Sequence, residues 1–273
     1  MTSKSQVKTM TDNHPMLDLY QWPLADRRNI TGVFTDIDDT LTSEGAISAK
    51  ALSALHQLQQ AGITVIAITG RPVGWSVPFA RDWPIDAIVA ENGAVALVGE
   101  RKYYLQDATT RADNQSKMDQ VVHKILQALP HARVSKDSVG RETDIAIDHN
   151  EHHSLSEQDI AKVVDIMQNN GMTATVSSIH INGWYGEHNK LEGARWIAQK
   201  LLGRDLDANL NAWAYVGDST NDQIMFAHFV NSIGVANIKV FEKQLQHFPR
   251  YITPSERGEG FAEVVDALIF AHA

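Results

Sequence analysis

The chain contains no cysteine, which excludes disulfides, zinc–thiolate centres, iron–sulfur clusters and cysteine nucleophiles together. That absence is compatible with the cytoplasm, the compartment expected here. Long apolar runs are missing too. The longest, Ile63 to Ile68, is six residues, far short of the roughly 20 needed to cross a bilayer. The stretch from Met1 to Met16 is polar and has no apolar centre of the kind a secretory signal carries, so a ragged tail is expected there. Positive charge is scarce, with 24 Lys and Arg against 33 Asp and Glu and a net charge of −9. Nucleic acid is therefore not an expected partner, because phosphate backbones select basic surfaces. No G-x-S-x-G turn occurs, which removes the common acyl-hydrolase site. An anionic substrate would need local positive charge inside this acidic protein, and a divalent cation is the obvious source.

What remains is ordinary for a globular protein: 273 residues, 43% hydrophobic and 21% charged. That length suits one large or two modest domains. The run Ile30 to Thr35 is β-branched and aromatic and ends abruptly in Asp36-Ile37-Asp38-Asp39-Thr40. It reads as a buried strand with an acidic loop at its carboxyl end. Leu52, Leu55 and Leu58 follow at helical spacing, with Ser48 placed to cap the start and Gly62 to stop the end. Ile63 to Ile68 is a second buried strand, ending at Thr69-Gly70-Arg71-Pro72, and Ala87 to Ala90 a third, ending at Glu91-Asn92-Gly93. Continuous apolar strands alternating with helices predict a parallel sheet covered on both faces. The pattern resumes with Ala212 to Val216, Ser232 to Val235 and Tyr251 to Thr253, with helices over Leu191 to Leu202 and Phe261 to Phe270.

Residues from about 108 to 185 differ. Ile145 and Ile147 alternate with Asp144 and Asp148, and Ile179 and Ile181 with His180 and Asn182. Such alternation predicts half-exposed strands, a sheet with one open face. Helical patterns over Met118 to Leu129 and Ile160 to Asn169 would cover its other face. An α/β core interrupted by an α+β insertion follows.

Ligands gather at the carboxyl ends of strands in open parallel sheets. Three polar clusters fall there: Asp36/Asp38/Asp39/Thr40, Thr69, and Asp218/Asn221/Asp222. Lys190, at a predicted helix start where its charge opposes the helix dipole, is a fourth element. Converging carboxylates, a hydroxyl and an ammonium make a metal-plus-anion site suited to phosphoryl transfer. A carboxylate attacking a phosphate dianion meets like-charge repulsion of roughly 4 kcal/mol per pair at about 4 Å and an effective dielectric of 20. A lysine and a metal ion relieve it, and oxygen-only ligands favour magnesium. Two aspartates two residues apart can divide the work between attack on phosphorus and proton transfer.

Taken in order, Asp36-Ile37-Asp38-Asp39-Thr40, Ile68-Thr69-Gly70-Arg71-Pro72, Glu91-Asn92-Gly93-Ala94, Lys190 and Gly217-Asp218-Ser219-Thr220-Asn221-Asp222 resemble the haloacid dehalogenase superfamily. The insertion between the second and third motifs is similar to its Cof-type, class IIB branch, which includes sugar phosphatases. The resemblance implies a Rossmann-like α/β core over residues 30–107 and 186–273, an inserted α+β (C2-type) cap over 108–185, and an N-terminal tail over 1–29. It implies Asp36 as nucleophile and Mg2+ ligand, and Asp38 as general acid/base with its carbonyl on the metal. Thr69 would bond the transferring phosphoryl group, and Lys190 would neutralise it and orient Asp36. Asp218 would ligate the metal, Asp222 would stand behind it, and Asn221 would support loop or phosphate. One departure is Asp39, where many relatives carry Gly; it bears on the loop's shape and not on the catalytic pair. Arg141, His180 and Asn182, on or near the polar face of the inserted sheet, are the specificity candidates.

Two other features read as structural. His149-Asn150-Glu151-His152-His153 follows a strand as a polar turn with no matching ligand set nearby, and is expected to be a solvated loop. Trp184 and Tyr185 fall where the insertion returns to the core and are expected to pack that junction. The function expected is magnesium-dependent hydrolysis of a small phosphorylated metabolite, a sugar phosphate first, through an aspartyl-phosphate. The alternative is a phosphomutase of the phosphomannomutase type, although Thr69-Gly70-Arg71-Pro72 looks more like the hydrolases. A receiver-type switch would need about half this length, and an ion-pumping ATPase would need membrane helices.

Overall fold

The computed structural model describes residues 15–272. The chain starts with a two-residue strand, β1 (Leu17–Asp18), and a short helix, α1 (Leu24–Arg28). The central strand β2 (Gly32–Thr35) is buried throughout and runs into the acidic loop, after which β3 (Thr42–Ser43) and β4 (Ala46–Ile47) form a small flap. Helix α2 (Ala49–Gln60) starts where the Ser48 side chain accepts the Ala51 N–H. Then come β5 (Thr64–Ile68), α3 (Val73–Asp82), β6 (Ala87–Ala90), β7 (Val95–Val98) and β8 (Arg101–Tyr104). The inserted segment holds α4 (Ala108–Ala128), β9 (Arg133–Val134), β10 (Ile145–Asp148), α5 (Glu157–Asn169), β11 (Thr173–Val176) and β12 (His180–Trp184). The chain closes with α6 (Lys190–Leu202), β13 (Trp213–Gly217), α7 (Gln223–His228), β14 (Asn231–Gly234), β15 (Tyr251–Ile252) and α8 (Arg257–His272).

One nine-stranded sheet runs in the order β1-β15-β14-β13-β2-β5-β6-β7-β8. Its strands are parallel from β1 to β6, and β7 and β8 add an antiparallel edge. Successive side chains of a strand point to opposite faces, so each buried strand feeds two cores. Val33, Val65 and Ile88 pack with Leu55 of α2, Val73 of α3 and Leu268 of α8. Phe34, Ile66 and Val89 pack with Ile197 of α6 and Phe226 of α7 on the other side. The expected α/β sheet with helices on both faces is present.

Residues 17–29 correct the expectation of a tail there. Strand β1 pairs with β15, and Leu19 and Trp22 are buried. Trp22 stacks on Tyr251 at 5.7 Å between ring centroids and donates its indole N–H to Asn231 Oδ1. A large aromatic with one polar atom satisfied is a core residue. The rest of that expected tail, residues 1–14, lies outside the described residues.

The inserted segment forms a four-stranded antiparallel sheet, β11-β12-β10-β9. Ile145, Ile147 and Ile181 face Met118, Ile125, Val163 and Met167 of α4 and α5, as the alternation implied. The opposite face is not open, which corrects the second expectation. Asp144, Asp148, His180 and Asn182 are all buried, because that face lies down over the carboxyl ends of β2 and β5. Asn182 donates to the Gly70 carbonyl, and so does Arg141. Polar side chains on a strand face need partners and not solvent as such, and the neighbouring loops supply them.

Candidate active site

Strand order reverses beside β2: β5 and β6 lie to one side, β13 and β14 to the other. Crevices at such points collect ligands, and the acidic residues stand there. Asp36 leaves β2 with its N–H on the Val216 carbonyl at 2.9 Å, so the pairing of β2 with β13 sets its position. Thr69 leaves β5 in the same way, its N–H on the Val89 carbonyl. Asp218 follows β13 directly, and Lys190 opens α6, where Asn189 caps the helix by accepting the Leu191 and Glu192 N–H groups. Helix α6 approaches closely because Gly193 meets Gly93; a Cβ on Gly193 would come within 2.6 Å of the Gly93 Cα. That contact brings Lys190 within reach of the aspartates.

Lys190 Nζ donates to Asp36 Oδ1 at 2.6 Å and to Asp222 Oδ1 at 2.7 Å, and all three residues are buried. Asp222 is fully engaged. Oδ1 also accepts the Tyr215 hydroxyl, and Oδ2 accepts the backbone N–H groups of Asp218 and Ser219. Asp218 is the opposite case. Its Oδ2 takes Asn237 Nδ2 at 3.2 Å, while Oδ1 is buried without a partner among the described residues. A buried, unpaired carboxylate oxygen is costly, and a bound cation would relieve that cost. Carboxylate oxygens of Asp36, Asp218 and Asp222 lie within 4.8 Å of one another. With oxygen donors only, this set fits a hard divalent cation.

The protonation balance tells the same story. Burial pushes the Asp36 carboxyl up to about 8; Lys190 pulls it down, and Asp222 and Asp38 push it up again. Burial, then Asp36 and Asp222, raise Asp218 well above the carboxylate range. Burial alone would lower Lys190, but Asp222 and Asp36 more than offset it and keep the ammonium charged. One lysine against three buried carboxylates leaves an anionic excess that a metal ion would neutralise.

The Thr69 hydroxyl accepts the Arg71 N–H at 2.9 Å and keeps its own proton for another acceptor. Asn221 accepts the Ser219 hydroxyl. Asp36, Asp38, Thr69, Asn221, His180 and Asn182 line one small cavity of about 10 Å³, room for a single water. Arg141 does not line it; its guanidinium bonds Asp144 at 2.8 Å and the Gly70 carbonyl at 2.9 Å. A neighbouring cavity of about 320 Å³ is bounded by Asp39, Glu44, Arg71, Glu151, His152 and Arg257. A third cavity, about 580 Å³, is lined by Leu17, Phe226, Phe229 and Phe248 and meets none of the carboxylates.

Four residues were not foreseen. Arg71 holds both oxygens of Asp38 at 2.9–3.1 Å. Glu151, from the loop expected to be solvated, bonds Arg71 and His180. Glu91 is buried and accepts N–H groups from Val73, Glu142 and Thr143, so it ties the inserted segment to the core. Tyr215 steadies Asp222. Only Arg71 and Glu91 carried a signal, as charged residues directly behind strands.

A doubly wound sheet with buried carboxylates and a lysine at its switch point, roofed by an inserted α+β unit, is an arrangement suited to hydrolysis of an anionic ester beside a divalent cation. Residues 33–134 match the family of haloacid dehalogenase-like hydrolases. A phosphoglycolate phosphatase of Archaeoglobus fulgidus is 27% identical over 245 residues, which covers 87% of this chain and 95% of that protein. A solved protein of Thermoplasma acidophilum superposes with a TM-score of 0.70 at 17% identity, covering 88% of this chain and 98% of the other. The sucrose-phosphatase of Synechocystis, solved with sucrose and phosphate, gives a TM-score of 0.63 at 14% identity over 87% of this chain and 97% of its own. The matched segment and the full-length relatives agree in their likeness to haloacid dehalogenase-like phosphatases. Among the described residues, no helix is long and apolar enough to cross a membrane.

Proposed function

We propose that the chain is a magnesium-dependent phosphatase of small phosphorylated metabolites, with sugar phosphates first among them, working through an aspartyl-phosphate on Asp36. One observation carries the reading: Lys190 joins Asp36 to Asp222 while Asp218 Oδ1 is left buried and free. The similarity to phosphatases supports it.

Asp36 attacks phosphorus as the bond to the leaving oxygen breaks, and Asp38 gives that oxygen its proton. Asp38 then takes a proton from water as the water attacks phosphorus; phosphate departs and the Asp36 carboxylate is restored. Lys190 offsets the charge of the phosphoryl group and fixes Asp36. Thr69 and Asn221 hold phosphoryl oxygens. Asp36, Asp218 and the Asp38 carbonyl would hold the magnesium ion, which supplies charge neutralisation and alignment when bound. Asp222 keeps Lys190 and the Asp218 loop in place.

A cavity of about 10 Å³ cannot admit a phosphoryl group, so residues 108–185 act as a cap that opens. The two chain crossings are tied where Gln106 donates to the Tyr185 carbonyl, and Gly186 at φ +126° allows the turn. The leaving group occupies the 320 Å³ cavity. Asp38, Asp39, Glu44 and Glu151 face it against Arg71 and Arg257, and each arginine is already paired with a carboxylate. That balance suits a neutral polyhydroxylated group and disfavours a carboxylate such as that of phosphoglycolate.

The test is phosphate release from sugar phosphates, phosphoglycolate and an aryl phosphate, with magnesium or EDTA, beside Asp36→Asn. Magnesium-dependent turnover that Asp36→Asn abolishes is expected, with a sugar phosphate preferred. Full activity in Asp36→Asn would sink the mechanism, and a requirement for sugar bisphosphate would turn the reading to a mutase.

A further inference from the structure

Arg71 stands on the core segment behind β5, yet its guanidinium serves both halves of the molecule. Nε and Nη2 hold Asp38 of the core, Nη1 donates to Asp137 at 3.2 Å, and Nη2 donates to Glu151 at 2.7 Å. One buried cation is thus shared by one carboxylate from the core and two from the inserted unit. The two differ in their other support. Asp137 also has Arg141 and the Ser135 hydroxyl, whereas among the described residues the carboxylate of Glu151 has only His180, at 2.9 Å, besides Arg71. Nor is Glu151 free to swing away. Its loop is pinned by Asp148, whose side chain accepts the N–H groups of Asn150, Glu151 and His152.

We propose that Arg71 is a positioning residue that latches the inserted unit shut. Glu151 and Asp137 dock on the cation that Asp38 holds, so closure of the unit and orientation of Asp38 become one event. The proposal rests on the phosphatase reading only in giving Asp38 a part in the chemistry; the docking stands without it.

A sign follows that a merely structural role would not produce. With Arg71 present, Glu151 draws the unit down. With Arg71 neutralised, Glu151 faces Asp38 across the vacated centre and pushes it away. Glu151→Gln must therefore loosen closure in the native chain and tighten it in an Arg71→Gln background. A side chain that only packs would act in one direction in both.

Hydrogen exchange on the full chain reads this without any substrate. The Glu142 and Thr143 amides donate across the seam to Glu91, while the pairing of β10 with β12 lies inside the unit. Arg71→Gln is expected to speed exchange at Glu142 and Thr143 about tenfold or more, leaving β10 and β12 protected. Glu151→Gln is expected to speed it several-fold in the native chain and to slow it in Arg71→Gln. The same sign in both backgrounds, or unchanged exchange in Arg71→Gln, overturns the latch. If Arg71→Gln does not fold, Glu151→Gln alone must still speed exchange at the seam amides, and Arg71→Lys, which keeps the charge but loses the fork that reaches three carboxylates, must do so too; no change in either overturns it. Because no turnover is measured, failure here is separate from failure of the phosphatase reading, which Asp36→Asn decides.

Discussion

Asp218→Asn tests the charge balance of the site most directly. Asp218 faces Asp36 and Asp222 with carboxylate oxygens within 4.8 Å. At that separation and an effective dielectric of 20, each like-charge pair costs roughly 3–4 kcal/mol. Two such repulsions stand against a weaker attraction to Lys190, and the buried Oδ1 adds a desolvation cost because it has no partner. Without a metal ion, the neutral amide should therefore stabilise the protein by about 2 kcal/mol. For a chain of this size that is a rise in Tm of about 4 to 8 °C. With magnesium the order reverses, because the native chain gains from binding and the variant has lost a ligand. The pH dependence has a matching sign. A carboxyl whose folded pKa is raised contributes stability below its unfolded value, near 4, and loses it as pH climbs through the folded value, about 8 for Asp36. The native protein in EDTA should thus lose stability from pH 4 to 8, at up to about 1.4 kcal/mol per pH unit for each such group, and magnesium should restore it most at the alkaline end. Thermal unfolding of both chains across that range, with EDTA and with magnesium, is the assay. If Asp218→Asn lowers Tm in EDTA, or gains as much from magnesium as the native chain, the reasoning fails.

Three further outcomes are expected. Lys190→Met should lower kcat/KM for any phosphate ester at least about 10³-fold, measured by phosphate release with magnesium saturating; a loss under tenfold would remove Lys190 from the chemistry. Glu151→Lys should shift the ratio of kcat/KM values about tenfold or more from sugar phosphates towards phosphoglycolate, because it reverses a charge at the rim of the 320 Å³ cavity; an unchanged ratio would mean the leaving group lies elsewhere. Trp22→Ala should cost about 3–5 kcal/mol in denaturant unfolding; a loss below about 1 kcal/mol would make residues 17–22 an appendage.

The core of the fold was legible because buried parallel strands write themselves as uninterrupted apolar runs. Ile63 to Ile68 and Ala212 to Val216 needed no context, and the polar residues ending each run marked the site. A cap was legible for the same local reason, at Ser48. Trp22 was not, because its partners Asn231 and Tyr251 are more than 200 residues away in sequence and a two-residue strand leaves no period to read. The same limit hid the closed face of the inserted sheet. Alternation in β10 and β12 says that one face is polar; it does not say whether water or another polar surface covers it. Here Gly70 and Asn92 cover it.

Asp39 sharpens the point, because there the motif was plain and its local geometry was not. It adopts φ +54°, the left-handed region that Gly enters without penalty and that Asp tolerates better than most residues. The conformation is held from both sides. Asn237 donates to the Asp39 carbonyl at 3.0 Å, and Arg257, itself at φ +53°, reaches the Asp39 carboxylate at 3.1 Å. The Asn237 Nδ2 that holds this carbonyl also holds Asp218 Oδ2, and its Oδ1 accepts the Arg257 N–H. Replacing Gly by Asp in this loop therefore adds a carboxylate to the rim of the 320 Å³ cavity and binds the loop that bears Asp36 to the loop that bears Asp218. A Gly at that position would give the same turn but no charge for Arg257 to meet, so the substitution changes what the cavity presents while leaving Asp36 and Asp38 where the strand puts them.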